Sequence, residues 1–478
     1  MKYNFKSLNF FLITITALIS ITAYSQNVED RPNIILVMTD DQGWFDVGYN
    51  GNKVVKTPFL DEMAAQGIIL DRLYSASAVC SPTRASVLTG RTPFRLEIPY
   101  ANQGHLKEKE ITLPEILKNK AQYTTGHFGK WHLGTLTKTV KDGNRGGTIK
   151  GEQEYSIPTM HGYDTYLSTE SKVPTYDPMV YPAVFEDDEN MIDGWRAVTK
   201  NEATKNYGTA YWVNENEVVK DNIEGSDSRV IMDRVIPFIE NAVSKKTPFF
   251  TTIWFHTPHR PLVADDEQRN QYKNLSLKEQ LYYGSISAMD TQMGRLWQTI
   301  NKLDIDENTI IWFCSDNGPI HLENSAGEFR GGKRDLFEGG VRVPAFVFWK
   351  GHFKTPKRQY SPMITSDYLP TILDILNIEY PDNNRVLDGE SMLNILDGKE
   401  NVRKEPIGFL IKEKMSWVNS QYKLYSPDNG KTYELYDLLN DKSEKNNIIN
   451  EKPLVASKMK QELSAWRASV GKSINTGN

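Results

Sequence analysis

The amino-acid sequence predicts an α/β protein: a large, mixed, mainly parallel sheet sandwiched by helices, with a smaller C-terminal antiparallel sheet packed by a helix. Three mostly apolar runs of strand length, at 33–38, 248–255 and 309–314, indicate the large sheet. Continuous rather than alternating apolarity is typical of strands that are buried on both faces. Helical patterns lie between these runs, and strands that alternate with helices favour a sheet covered by helices.

Two of these helices have clear end signals. Thr57 is a predicted N-cap, Pro58 takes the first helical position, and Gly67 ends the helix. Ser276 and Glu279 form a capping box at the start of a second helix. Apolar residues spaced by three and four follow that box, at Tyr282, Ile286, Met289, Met293, Leu296 and Ile300.

A change of pattern near the C-terminus predicts the smaller sheet. Asn429-Gly430 is a hairpin turn signal, and a final helix is expected near 453–468. The short strand-like runs lie at 407–410, 415–418, 422–425 and 432–436. We therefore expect a main α/β domain at 26–400 and a C-terminal α+β subdomain at 401–478.

Residues 1–25 are predicted to be a secretory signal, so the mature protein is expected to be exported, either periplasmic or secreted. Lys2 and Lys6 precede an apolar run at 10–21, and small residues precede a cleavage site before Gln26. An N-terminal membrane anchor is the alternative, but the apolar run is short and interrupted by hydroxyl residues. No later stretch reaches the roughly 20 apolar residues that a membrane-spanning helix needs.

The composition and net charge of the chain argue against several classes of protein. The 478 residues carry a net charge of −5 and two cysteines, Cys80 and Cys314. Two cysteines exclude a disulfide scaffold; they could still pair, but Cys314 lies in a run that indicates a buried strand and a core position. The mildly acidic balance gives no basis for nucleic-acid binding through a basic face. An anionic substrate therefore needs a local cationic site.

Polar side chains follow each of the three apolar runs. Asp40 and Asp41 follow the first run, His256 to His259 the second, and Asp316 and Asn317 the third. Because ligands of open α/β sheets bind beyond the carboxyl ends of the strands, we expect one site there. Three carboxylates and an amide oxygen suit Ca²⁺ or Mg²⁺. The polar segment 141–225, whose tyrosines and tryptophans argue against disorder, is predicted to form long loops over the mouth of the site.

Basic residues recur near the same positions. Lys130 and His132 come after a glycine-rich run, and Lys333 lies in Gly331-Gly332-Lys333-Arg334 beyond Asp316. Cations beside a carboxylate-bound metal form an arrangement that binds a tetrahedral oxyacid ester.

The run Cys80-Ser81-Pro82-Thr83-Arg84, at a predicted helix start, is the most specific motif of the chain. It resembles the signature of the type I sulfatases, a formylglycine-dependent family of the alkaline phosphatase superfamily. The resemblance covers nearly the whole chain after the signal. Further family landmarks, in family order, are 33–41, 57–67, 80–91, 129–134, 256–261, 316–318, 331–344 and 435–437.

The resemblance implies the site chemistry. Cys80 is expected to be oxidised by a formylglycine-generating enzyme, and one hydroxyl of the aldehyde hydrate then attacks sulfur while the other expels sulfate. One Ca²⁺ is expected, in preference to Mg²⁺. The implied metal ligands are Asp40, Asp41, the modified Cys80, Asp316 and Asn317. The implied catalytic residues are Cys80, Arg84, Lys130, His132, His259 and Lys333.

Two histidines compete for contact with the sulfate group. His256 and His259 each stand two residues before a proline, as in the family; we favour His259 and assign His256 as a supporting or substrate contact. Further candidate binders of a neighbouring uronate or second sulfate are Arg95, His105, His161, Arg260 and Arg330.

The expected substrate is a carbohydrate sulfate, from a sulfated polysaccharide such as ulvan, carrageenan or fucan, or from a glycosaminoglycan. A phosphate or phosphonate ester hydrolase of the same superfamily is the main alternative, although two-metal phosphatases usually carry Asp-His where this chain has Asp316-Asn317. A non-catalytic glycan-binding protein on the same fold is the second. A thiol hydrolase or redox protein is the third, and it requires a histidine-paired Cys80 thiolate.

Overall fold

The described part of the chain contains a sheet of ten strands. The computed structural model describes residues 31–145, 152–186, 194–199, 201–320, 322–353 and 357–476, so the predicted signal at 1–25 lies outside the described residues. The strands are β1 Asn33–Thr39, β2 Ile68–Leu70, β3 Leu73–Tyr74, β4 Thr124–Lys130, β5 Thr165–Thr169, β6 Val184–Glu186, β7 Gly194–Arg196, β8 Trp212–Asn214, β9 Glu217–Val218, β10 Phe249–Trp254, β11 Thr309–Ser315, β12 Ala345–Phe348, β13 Lys357–Gln359, β14 Met363–Ile364, β15 Ile407–Ile411, β16 Lys414–Val418, β17 Tyr422–Ser426 and β18 Glu434–Asp437.

The strand order of this sheet is β13-β2-β12-β11-β1-β10-β4-β5-β8-β9. Its central strands, from β11 to β5, are parallel neighbours. Toward the two edges, β12 and β8 pair antiparallel with their neighbours. The predicted mixed, mainly parallel sheet is therefore confirmed.

Helices cover both faces of the sheet, because alternate residues of each central strand point to opposite sides. In β1, Ile34 and Leu36 belong to one apolar core, and Ile35 and Val37 belong to the other. The helices are α1 Pro58–Gln66, α2 Cys80–Thr89, α3 Leu113–Ala121, α4 Asp227–Ser244, α5 Asp266–Asn270, α6 Leu277–Lys302, α7 Glu338–Val341, α8 Tyr368–Ile375, α9 Leu393–Leu396 and α10 Pro453–Thr476, with 3-10 turns at Gly48–Asn50, Pro158–His161, Glu323–Ala326 and Thr365–Asp367.

The core residues show which helices lie on which face. Helices α2, α3 and α8 pack against the first core, and α1, α4 and α6 pack against the second. The capping box of Ser276 and Glu279 is present at the start of α6. Among the described helices, none is both long enough and apolar enough to span a membrane.

The C-terminal strands form a separate antiparallel sheet in the order β15-β16-β17-β18. One face packs on α10 through residues such as Trp417 and Leu463, and the other packs on the main body through Phe409 and Tyr74. This small sheet and its helix confirm the predicted second part of the fold; the final helix is longer than expected. The boundary placed at residue 400 stays a prediction.

The interpretation of 141–225 as loops was wrong in part. Strand β5 pairs parallel with β4, and β8 and β9 extend the main sheet beyond it. The sequence did not signal β5 because Thr165–Thr169 is short and mixes hydroxyl with apolar side chains. Pairing with β4 nevertheless buries most of it, so tertiary context overrides the weak local pattern.

Candidate active site

Five adjacent parallel strands bring the predicted polar clusters to one edge of the sheet. Asp40 and Asp41 follow β1, and Asp316 and Asn317 follow β11. Lys130 is the last residue of β4. Parallel neighbours end at the same edge, so side chains that are far apart in sequence meet there, as the sequence predicted.

Cys80 is the first residue of helix α2, at its N-terminus. The thiol is buried, donates to Asp40 Oδ1 at 3.4 Å and accepts from Lys333 Nζ at 3.4 Å. Burial, followed by the nearby Asp316, raises the pKa of the Cys80 thiol. A thiolate mechanism requires the opposite shift, so this environment disfavours Cys80 as an ordinary thiol nucleophile.

Three buried carboxylates are each held by a cation. Arg84 Nη2 lies 2.6 Å from Asp316 Oδ2, and Lys130 Nζ lies 2.6 Å from Asp40 Oδ2. Lys333 Nζ lies 2.5 Å from Asp41 Oδ1, and the Lys333 backbone N–H fixes its loop by donating to the carbonyl of Pro319. All of these side chains are at most 7% exposed, so solvent screens the ion pairs weakly.

The same cluster fits a hard divalent cation. Asn317 Oδ1 is buried and accepts no hydrogen bond from the described residues, while Nδ2 donates to Asp41 Oδ1 at 2.7 Å. Leaving a buried oxygen unsatisfied is costly, and a cation removes that cost. Burial and the neighbouring Asp40 raise the pKa of Asp316 to about 7 although Arg84 opposes the shift, and a divalent cation would further favour the charged carboxylate.

The backbone and ligand spacing agree with a metal site. Asp41 adopts a left-handed conformation with φ 65°, and its N–H donates to Asp316 Oδ1 at 3.2 Å. Such conformations are uncommon outside glycine and concentrate at functional sites. Candidate ligand atoms of Asp40, Asp41, Cys80 and His259 lie within 4.8 Å of one another. The predicted ligand set is therefore brought together, with His259 beside it.

Burial favours the neutral form of two histidines at the site. Burial lowers the pKa of His259 to about 3, and burial followed by Lys130 lowers the pKa of His132 well below its usual value. His259 Nδ1 lies 2.6 Å from the carbonyl oxygen of Arg260, and a carbonyl only accepts. Nδ1 therefore carries the hydrogen, and Nε2, 3.6 Å from Asp41 Oδ2, carries the lone pair.

A cleft of about 190 Å³ opens onto this cluster. The cleft wall contains the Cys80 thiol, Lys130, Lys333, His132 and His259. An ester group that enters the cleft therefore lies beside residues that the sequence predicts to be catalytic. The cleft is lined by Asp41, Val79, Cys80, Tyr100, Ala101, Asn102, Lys130, His132, Asn144, Ser171, Lys172, His259, Arg260, Ile320, Lys333 and Arg334.

The structure does not bring every predicted substrate contact to the cleft. His256 is fully buried between Asp227, at 2.9 Å, and Thr169, at 2.6 Å, so of the two competing histidines it is His259 that lines the cleft. His161 is buried and hydrogen-bonded to Ser156 Oγ.

Three more candidates also lie away from the cleft. Arg95 pairs with Asp388 at 3.0 Å, and Arg330 donates to Tyr436 at 3.1 Å. His105 is half-buried, with Glu154 and Lys107 among its charged neighbours. Of the predicted binders, Arg260 is the one in the cleft wall.

Sequence reasoning missed several lining residues. Lys172 and Ser171 follow β5, and Asn102 accepts a hydrogen bond from His132 Nε2 at 2.7 Å. Recognising β5 as a strand would have revealed Lys172, because the rule that located Asp40 applies equally to the carboxyl end of β5. Asn102 lies in a turn region that carries no such signal.

The architecture is that of the alkaline phosphatase fold, which the similar solved structures share. Residues 32–378 match the model of the Sulfatase family, and the chain therefore belongs to the sulfatases. Residues 327–469 match the C-terminal model of N-sulphoglucosamine sulphohydrolase.

Individual relatives are carbohydrate and aryl sulfatases by name. N-acetylgalactosamine-6-sulfatase of Mus musculus is 30% identical over 380 residues, covering 76% of this chain, and arylsulfatase G of Rattus norvegicus is 30% identical over 395, covering 77%. The match spans 65% of the first relative and 69% of the second. A crystal structure of Ps i-CgsB in complex with k-i-k-neocarrahexaose superposes with a TM-score of 0.76 and 27% identity, covering 91% of this chain and 92% of that one.

Proposed function

We propose that this protein hydrolyses sulfate esters on a carbohydrate, acting on an oligosaccharide of a sulfated algal or animal polysaccharide. The observation that carries the proposal is the cleft, where Cys80 lies between a carboxylate cluster and two lysines at the start of a helix. Of the similar proteins described above, one is named N-acetylgalactosamine-6-sulfatase, and another was crystallised in complex with k-i-k-neocarrahexaose. Export by the predicted signal at 1–25 would place the enzyme where such polymers occur.

Two groups beyond the encoded side chains complete the proposed chemistry. Formylglycine, made from Cys80 by a maturing enzyme, supplies an oxygen nucleophile in its hydrated form. Ca²⁺, held by Asp40, Asp41, Asp316 and Asn317, supplies a fixed positive charge for the sulfuryl oxygens.

The remaining side chains bind charge and move protons. Burial lowers the pKa of Lys333, but Asp41 and then Cys80 raise it by more, so its ammonium group stays charged. Lys130 and Lys333 thus provide preorganised positive charge beside the reacting group, and losing one such donor commonly costs about 3 kcal/mol of transition-state stabilisation. Arg84, paired with Asp316 and bonded to the carbonyl of Lys130, fixes both. An anionic ester beside His259 would raise the pKa of this imidazole from about 3, and Nε2 would then hold a proton next to the reacting group.

The test is hydrolysis of matched aryl sulfate and aryl phosphate by protein co-produced with a formylglycine-generating enzyme. We expect turnover of the sulfate to exceed that of the phosphate, and peptide mass spectrometry to show the aldehyde at Cys80. Cys80→Ala is the control, because it cannot be matured. A stronger preference for the phosphate, or equal activity of Cys80→Ala, would contradict the proposal.

A further inference from the structure

Three cations in the cleft wall have no acidic partner among the described residues: Lys172, Arg260 and the exposed Arg334. Lys172 and Arg260 line the cleft, and neither side chain makes a hydrogen bond or an ion pair within the described part of the chain. Lys130 and Lys333, by contrast, are each bound to an aspartate. The cleft therefore has more positive charge than its own carboxylates balance.

Lys172 is held in place by the segment that precedes it. The N–H of Trp131 donates to the carbonyl of Thr169 at 3.0 Å, and the N–H of His132 donates to the carbonyl of Glu170 at 3.1 Å. Glu170 is itself buried in an ion pair with Arg145 at 2.8 Å. Lys172 thus extends from a rigid strand end, and little backbone entropy remains to be lost when it binds a ligand.

Arg260 lies on a neighbouring segment that is bonded to the one carrying Lys172. The N–H of Thr175 donates to the carbonyl of Pro261 at 3.1 Å, and the Thr175 hydroxyl donates to the carbonyl of Val263 at 2.6 Å. These bonds fix the two segments against each other, so the two cations form a single surface.

The electrostatics of this surface favour an anion. Burial lowers the pKa of Lys172, and Arg260, Lys130 and Lys333 lower it further. A partly desolvated ammonium group among like charges is destabilised, and an anionic ligand group relieves that repulsion. The proposed function places the reacting sulfate ester, with its single negative charge, beside Lys130 and Lys333, which leaves Lys172 and Arg260 for a second anion.

We propose that Lys172 and Arg260 form a subsite for a second anionic group, sulfate or carboxylate, on the saccharide that carries the reacting sulfate. This inference rests on the proposed function and narrows it to substrates with at least two negative charges. Guanidinium and ammonium groups both bind sulfate and carboxylate through charge-assisted hydrogen bonds.

Kinetics of the matured enzyme separate this subsite from the reaction centre. The substrates are a neutral aryl sulfate, a monosulfated neutral disaccharide, the disulfated form of that disaccharide and a monosulfated uronate disaccharide. Lys172→Gln and Arg260→Gln are each expected to raise KM about tenfold for the doubly charged substrates, as loss of one charge-assisted contact predicts. For the aryl sulfate, kcat and KM should stay within about twofold, because that substrate has no second anionic group for the subsite to bind.

Lys273→Gln, at an exposed lysine outside the cleft, is the matched control and should change nothing. Comparing the disulfated with the uronate substrate shows which anion the subsite prefers. Equal losses on all substrates, or no loss on the doubly charged ones, would overturn the inference.

Binding to unmatured protein tests the subsite independently of catalysis. Calorimetry on the thiol form should give tighter binding of the disulfated than of the monosulfated disaccharide, Lys172→Gln should reduce the difference, and the double variant with Arg260→Gln should abolish it. Equal affinities would refute the subsite even if the protein hydrolyses sulfate esters. A retained difference without any turnover would support the subsite and refute the proposed function.

Discussion

Two buried clusters of charged side chains in this protein have similar compositions but differ in whether a cleft gives access to them. The C-terminal ion cluster, formed by Glu338, Lys423, Glu444 and Arg342, joins the small sheet to the main body. Lys423 lies 2.8 Å from Glu338 and 3.0 Å from Glu444, and all three side chains are fully buried. The active-site cluster instead opens into a cleft.

Shifted pKa values do not distinguish the two clusters. Burial and Asp40 raise the pKa of Asp316 to about 7 in one, and burial, with a contribution from Glu338, raises the pKa of Glu444 to about 7 in the other. Structural ion networks perturb titration as strongly as active sites do. Access from the cleft is the feature that marks the functional cluster, because Glu444 Oε1 in the C-terminal ion cluster also accepts no hydrogen bond from the described residues.

Removing Lys423 should have the largest effect on stability. Lys423→Met leaves Glu338 and Glu444 buried without their shared cation, and breaking such a pair costs about 3–5 kcal/mol. Denaturant unfolding measures the loss, while kcat/KM should stay near wild type wherever the variant is folded. Lys458→Met is the control, because its side chain is 78% exposed and should cost no more than about 0.5 kcal/mol. Equal losses of unfolding free energy in Lys423→Met and Lys458→Met would contradict a purely structural role for the C-terminal ion cluster.

The pH dependence of stability should be the next largest effect. Because the pKa of Glu444 is raised from 4.5 to about 7, the folded state holds a proton that the unfolded state has lost over that interval. Glu444 should therefore contribute a fall in stability as pH rises from 5 to 7, opposite in sign to the contribution of buried histidines such as His132 and His259, whose pKa values are lowered. Glu444→Gln should remove up to about 3 kcal/mol of this fall.

Free energies of unfolding at pH 5 and pH 8 test this expectation. Glu451→Gln, at an exposed position, should keep the wild-type pH dependence. If Glu444→Gln keeps it as well, Glu444 is not the titrating group.

The response of thermal stability to Ca²⁺ should distinguish the two clusters most directly. The expected effect is smaller than the two effects described above. Asn317→Ala removes the buried oxygen proposed as a ligand and should raise the Ca²⁺ concentration for half-maximal thermal stabilisation by at least about tenfold. Asn216→Ala, at an exposed loop position, should leave the calcium response unchanged. An unchanged response in Asn317→Ala would remove this residue from the proposed ligand set. Lys423→Met should lower the melting temperature without shifting the calcium midpoint.

The sequence predicted the cluster at the strand ends because chemistry and topology coincide there. Asp40 and Asp316 follow apolar runs whose burial is obvious from composition, and parallel strands must end at the same edge. Arg95 and His161 had the right chemistry for substrate contacts, but they are engaged elsewhere, with Asp388 and Ser156. A basic side chain alone does not reveal which acid it will meet in the fold.

By itself, the sequence determined the sheet, the helix that starts at Cys80, the carboxylates and amide that suit a hard cation, and the resemblance to sulfatases. Only the tertiary structure decided that His259 lines the cleft while His256 is buried, and that Lys172 joins Arg260 at its wall. The physical reason is the distance along the chain over which each kind of interaction acts. Apolar periodicity and helix caps act over a few residues, whereas burial and charge pairing depend on segments that are far apart in the chain.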